Sequence, residues 1–374
     1  MKSLDIEAIN RQEAPKIPEL TPPKPKSAKK RKDKTSYEIN DLYRKSRLAF
    51  GKTKKKMIDQ DHKIISRILD LIGFTDLEEI DRESAEQVRD ALAYFPKNAN
   101  KYDEFRSLKG YEIIHKNMAL SIPKPAISNR TIKGSIEKFS TFMNWAKVHG
   151  YVTENAFYKL PTFPPSHEDQ RYALEDEHLK RVFSMEDYTK HKYVHPYYYW
   201  IPLLLRYTGA RLNELCQLSS SDIAIVDHVP CILIRDNGED KSTKNSSSNR
   251  TVPIHSDLIN KGFLNFVVSC RNKKLFEELP LVNGYYSHNV SKWFARRRAK
   301  IGLGKGYDAH SFRHTFINEL KQLQTPKEII EALVGHEHNS LSLDLYGKQY
   351  NTKLLAPIIE KISSSHSTSI KNYT

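Results

Sequence analysis

Cysteine is scarce in this chain: three residues in 374, Cys216, Cys231 and Cys270, with no C-x-x-C pair among them. An odd, widely separated set excludes a disulfide scaffold and a thiolate-rich metal centre, and reads as reduced structural thiols in a cytosol. Long apolar runs are missing too. No stretch approaches the roughly 18 apolar residues of a membrane span, and the opening MKSLDIEAINRQEAPK lacks the apolar segment of a secretory signal. Hydrophobic residues make up 39% of the chain, enough for an ordinary core with the polar excess in tails. No internal repeat is visible. The expectation is a soluble cytoplasmic protein with no membrane partner.

Positive charge is plentiful: 60 Lys and Arg stand against 45 Asp and Glu, a formal net charge of +15. The basic residues run the whole length, which favours a polyanionic partner, and nucleic acid before a membrane surface. Residues 1–35, which include PKIPELTPPKPKSAKKRKDKT, are rich in Pro and Lys with little to bury and read as a disordered basic arm.

Residues 36–160 have helical periodicity. Met57, Ile64, Ile65, Ile68, Leu69 and Ile72 share one face; Val88, Leu92 and Phe95 follow an Asp cap; Ile132, Ile136, Phe139, Phe142, Met143 and Ala146 line a helix that stops at Gly150. PTFPPSHEDQR, 161–171, has three prolines and no period, and reads as a linker. Residues 172–363 mix types. LEDEHLKRVFSM is helical, and YYYWIPLLLRYTGARLNELCQL is a buried helix interrupted near Thr208-Gly209. IAIVD, CILIR and RTVPI are strands, the last two joined by the polar loop DNGEDKSTKNSSSN, and helices follow. Residues 364–374 read as a polar tail. The expected fold class is mostly α with a small antiparallel β-sheet, a helical bundle followed by a mixed α+β domain.

Taken singly, the polar residues of the second domain are unremarkable. Arg211 reads as a helix-surface arginine that Glu214, three residues on, can pair. His310 and Arg313 in AHSFRHTF share a face, and Lys244 sits in a solvated loop. Taken together they suit phosphoryl chemistry. Two permanently charged guanidiniums can grip the nonbridging oxygens of a pentacoordinate phosphate. Histidines supply a proton acceptor near neutral pH, and a loop lysine can protonate a leaving oxygen. A tyrosine, with a pKa of about 10, needs such surroundings to act as a nucleophile.

TGARLNEL, a lysine in a strand-joining loop before SNRTVPI, then HSFRHTF, then LVGHEHNSLSLDLY, resemble the signature series of the tyrosine recombinases, the phage integrase family. The resemblance implies Arg211 and Arg313 as phosphate clamps, Lys244 as general acid and His310 as the H-x-x-R histidine that assists proton transfer. It implies His336 as a second histidine on the phosphate and Tyr346 as the nucleophile. Lys244 lies six residues before Arg250, which fits the pattern better than Lys241; Tyr350, fourteen residues past His336, is too distant to replace Tyr346. The N-terminal helices are similar to the family's core-binding domain, with Asn155-Ala156 at the exit turn where the family often has Asn-Pro.

The implied activity is cutting and rejoining of duplex DNA through a 3′-phosphotyrosine, for integration or excision of a mobile element, without metal, ATP or other cofactor. The implied partners are double-stranded DNA with inverted half-sites, a homodimer growing to a synaptic homotetramer on that DNA, and an accessory directionality factor, in a nucleoid-associated setting. In this family the C-terminal helix, here NTKLLAPIIEKI, often docks on a neighbouring protomer. Two other readings stand beside this one: a catalytically silent DNA-binding accessory factor, and a type IB topoisomerase-like relaxing enzyme. A zinc protease is excluded, because His310 and His314 are i, i+4 but Ser311 stands where the zincin pattern needs Glu.

Overall fold

The computed structural model of the protein describes residues 21–22, 34–51, 53–164, 171–237, 241, 248–271, 273–336 and 350–374. The basic arm therefore lies almost wholly outside the described residues, as do Lys244 and Tyr346. The chain divides into two compact units, Met1–Asp169 and Gln170–Thr374.

The first unit contains helices α1 (Ser36–Phe50), α2 (Lys55–Ile72), α3 (Arg82–Leu92), α4 (Gly110–Met118) and α5 (Asn129–Val148). Local chemistry sets their ends. Thr35 and Glu38 form a reciprocal capping box at α1. Asp81 accepts the Ser84 N–H at 2.9 Å to start α3, and Gly73, at φ 76°, closes α2. The apolar stripe of α2 runs through Ile58, Ile65, Ile68, Leu69 and Ile72. Met57 departs from the expected face: it is 54% exposed, because the stripe begins one residue later, at Ile58. All six expected apolar positions of α5, Ile132 to Ala146, are buried. Asp61 is neutralised between Arg47 at 2.8 Å and Lys138 at 2.6 Å. The first residues of the proline-rich stretch also pack on this unit, Phe163 against its core and the Pro164 carbonyl accepting from Asn129 at 2.8 Å.

The second unit is built on α8 (Pro196–Thr208), which follows α6 (Asp176–Phe183) and α7 (Glu186–Thr189) and precedes α9 (Leu212–Cys216). Strands β1 (Ile223–Val226), β2 (Val229–Ile234) and β3 (Arg250–Pro253) form an antiparallel sheet in that order. Asp227 and Asn-like backbone freedom is required at the β1–β2 turn, where Asp227 and His228 adopt φ 50° and 69°. Then come α10 (Ser256–Asn260), α11 (Phe263–Ser269), α12 (Ser287–Lys300), α13 (Ala309–Gln322), α14 (Lys327–Val334) and α15 (Thr352–Ile359). The fold is thus mostly α with one small antiparallel sheet.

Helix α8 is buried on nearly every side and packs on α13, α9 and α7. Its apolar sequence from Tyr197 to Leu205 explains why it became the centre of the unit. Helix α15 lies on β3 and β2 of its own unit through Leu355 and Ile359. The Ser-rich end, read from composition as a polar tail, is packed as well. Ser367 and Ile370 are buried, and Tyr373 meets the rings of Tyr193, Tyr199, Trp200 and Phe266 at 5.2 to 5.3 Å. Its carbonyls are used: Ile362, Ile370 and Lys371 accept from His255, Lys261 and Tyr199.

Candidate active site

Three loops and one helix bring the site together in the second unit. The first loop leaves α8 at Gly209, where φ is 58° and a Cβ would lie 2.5 Å from the Phe316 ring. Only glycine fits that turn, and it delivers Arg211 to the cap position of α9 with an extended backbone. Arg211 is therefore a loop residue at a helix start, where sequence alone suggested a helix surface. Its Nη1 donates to Glu214 Oε1 at 2.8 Å, and its backbone N–H donates to Glu214 Oε2 at 2.9 Å.

Glu214 serves a second arginine. Arg250, at the start of β3, donates from Nη2 to Glu214 Oε2 at 2.8 Å, from Nε to the Leu333 carbonyl at 2.7 Å and from Nη1 to the Ser248 carbonyl at 2.8 Å. These bonds tie the end of α14 to the sheet. They also fix the turn at Gly335, whose φ is 68° and whose hypothetical Cβ would stand 2.9 Å from Arg250 Nη1. The Gly335 carbonyl accepts from Arg211 Nη2 at 3.4 Å, and Ser248 Oγ accepts from Arg211 Nη1 at 3.3 Å. His336 leaves this turn with its backbone N–H on the Glu331 carbonyl at 3.0 Å and its side chain exposed.

Arg313 comes from α13. It is 2% exposed, and its Nη1 donates to the Gly209 carbonyl at 2.9 Å. Its Nη2 is buried and has no hydrogen-bond partner among the described residues. Burial, then the neighbouring guanidiniums of Arg211 and Arg250, push its pKa down to about 9, against the attraction of Glu214, so it stays charged at neutral pH. Three guanidiniums thus face one carboxylate, which the arginines hold below the usual carboxylate range despite its burial. Such a concentration of uncompensated positive charge suits an anion with several oxygens.

The two histidines experience the same field. His336 is lowered to about 4 by partial burial, then by Arg313 and Arg211, with Glu331 opposing. His310, on the first turn of α13 behind the Asp308 cap, is lowered to about 4 by burial, then by His314, Arg313 and Arg171. Both imidazoles are neutral at pH 7 and able to accept a proton.

Residues 174–352 match the model of the phage integrase family. That segment is a tyrosine recombinase domain. Among relatives, a tyrosine recombinase of Thermosipho africanus is 23% identical over 212 residues, 56% of this chain and 69% of that protein. An integrase/recombinase of Aquifex aeolicus is 24% identical over 271 residues, 63% of this chain and 82% of that protein. In fold, the Tn1549 transposon integrase, solved with circular intermediate DNA, aligns with a TM-score of 0.56 at 17% identity, covering 84% of this chain and 95% of that one. A lambda integrase dimer bound to a core site aligns at 0.53 with 17% identity, covering 84% and 77%.

Of the six residues singled out from sequence, the structure places Arg211 and Arg313 with the Gly335-His336 turn around Glu214, and joins His310 to them along α13. Lys241, the rival hairpin lysine, is engaged in an ion pair with the buried Asp222, which also meets Arg235 at 3.0 Å. Tyr350, the rival tyrosine, is 37% exposed. Sequence reasoning missed Arg250 as a member of the cluster and undervalued Glu214. The signal was available: the S-x-R step of the hairpin motif served only as a ruler for finding Lys244. Among the described residues, no three His, Cys, Asp or Glu side chains converge as metal ligands do.

Proposed function

We propose that this tyrosine recombinase is a site-specific integrase that cuts and rejoins duplex DNA at inverted half-sites. The observation that carries the reading is the buried Arg313 Nη2, unpartnered among the described residues, beside Arg211 and the Gly335-His336 turn. A scissile phosphate would satisfy that donor, and both arginines would gain on the charge that develops in the pentacoordinate state.

In the proposed reaction Tyr346 Oη attacks phosphorus and its proton passes to His310. The bond to the 5′ oxygen breaks as Lys244 protonates it, and His336 donates to a phosphate oxygen. The 3′-phosphotyrosine conserves the ester, so the 5′ hydroxyl of a partner strand can reverse the step with no ATP. Two rounds through a Holliday junction exchange the strands. Dimeric and tetrameric assembly on DNA is supported by the lambda integrase structures, a dimer on a core site and a tetramer on a Holliday junction. Movement of a mobile element, with an accessory factor setting direction, is the role that fits this chemistry.

The test is a nicked suicide substrate spanning the junction of the element that carries the coding sequence. Wild-type protein should form a covalent adduct, Tyr346→Phe none and Tyr350→Phe a normal amount. Adduct from Tyr346→Phe, or none from wild type, overturns the reading; plasmid relaxation without strand exchange would favour a topoisomerase.

A further inference from the structure

His314 has no part in the site described above, yet it sits against it. It follows His310 by one turn on α13, and the two imidazoles meet edge to face, centroids 5.0 Å apart at 88°. Both are half-buried, and neither ring has a hydrogen-bond partner among the described residues. The charged groups facing the pair are Arg313 on the same helix, Asp308 at its cap and Arg171, which meets Asp308 at 3.2 Å. Of the other elements packed on α13, α8 contributes Arg206, paired with Glu319 further along, and α14 contributes Glu331, which faces His336.

We infer that His314 is a positioning residue for strand cleavage, holding the His310 ring edge-on and setting when that ring can take the nucleophile's proton. The physical reason is that two adjacent imidazoles in a positive field cannot both be charged. His314, itself lowered by burial and Arg171, presses His310 toward the neutral acceptor form. The inference rests on the proposed role of His310.

Two measurements on the full chain separate its failure from failure of that role. The first follows His310 by NMR through a pH titration, in wild type and in His314→Phe, which keeps an edge-on ring without a titrating group. The His310 midpoint should rise by about 0.5–1 pH unit in the variant; an unchanged midpoint overturns the inference whether or not the protein cleaves DNA. The second follows adduct formation on the nicked substrate against pH. The acid limb should move up by the same amount in His314→Phe, with the neutral-pH rate within about threefold of wild type, while His314→Gln should lose several-fold at every pH. Superimposable profiles for all three proteins overturn the inference. Absence of adduct from wild type instead overturns the functional reading and leaves the NMR result to decide the coupling.

Discussion

Near the end of α13, Arg206 reaches from α8 with 1% of its surface exposed, and meets the Glu319 carboxylate at 2.7 Å and the Ser363 carbonyl at 2.9 Å. Six residues earlier on α13, Arg313 is just as buried but, among the described residues, hydrogen-bonds one carbonyl and pairs with no carboxylate. The first arginine is neutralised by the fold and ties the docked C-terminal segment to α8. The second is left with charge to spare beside two more arginines. A buried cation with no ion pair of its own is expensive, and Arg313, whose Nη2 has no hydrogen-bond partner among the described residues, marks a place where function and stability diverge.

That contrast can be broken by one pair of variants. Arg313→Met should lower adduct formation by at least about 10²–10³-fold, the scale set by removing one transition-state donor. Its stability in urea should stay within about 1 kcal/mol of wild type, because no carboxylate is stranded. Arg206→Met strands Glu319 and the Ser363 carbonyl, and should cost about 3 kcal/mol of stability. Its adduct yield should recover at temperatures where the variant is folded. If the two arginines exchange these behaviours, the division fails.

A smaller effect sharpens it. Gly335→Ala places a Cβ against Arg250 at positive φ and should cost about 1–2 kcal/mol. Part of the strain should appear as a loss of cleavage, because the displaced turn carries His336 and the carbonyl that Arg211 holds. Calorimetry and adduct assays on the same preparation measure both parts.

The contrast also has a pH dependence. His310 and His336 have folded pKa values of about 4, against about 6.5 in an unfolded chain. As pH falls below 6.5 the unfolded chain takes up protons first, so the stabilising difference present above that pH is lost progressively toward pH 4. Wild type should therefore lose more stability over this window than the double variant His310→Gln/His336→Gln. Equal losses would show that neither burial nor the neighbouring positive charge depresses the imidazoles in the fold.

Much of the fold could be read before any contact was known. The cap at Asp81, the α5 stripe and the break at Gly209 are statements about residues a few positions apart, where backbone chemistry decides. The order TGARLNEL, HSFRHTF, LVGHEH likewise marks the elements that carry the site. Met57 was misplaced because the apolar period does not say which turn of a helix meets the bundle. The tail was misread because SSSHSTSIKNYT is polar by composition, while its burial depends on Tyr373 finding an aromatic recess in α8 and α11.

The sequence by itself determined the helices, the sheet and the family of the 174–352 domain, because periodicity, capping and motif spacing are local. Only the tertiary structure decided that Glu214 would serve both Arg211 and Arg250, 36 residues further on, and that Arg313 would be buried beside them with its Nη2 unpartnered among the described residues. Burial and charge balance belong to pairs of distant segments, and no residue carries them alone.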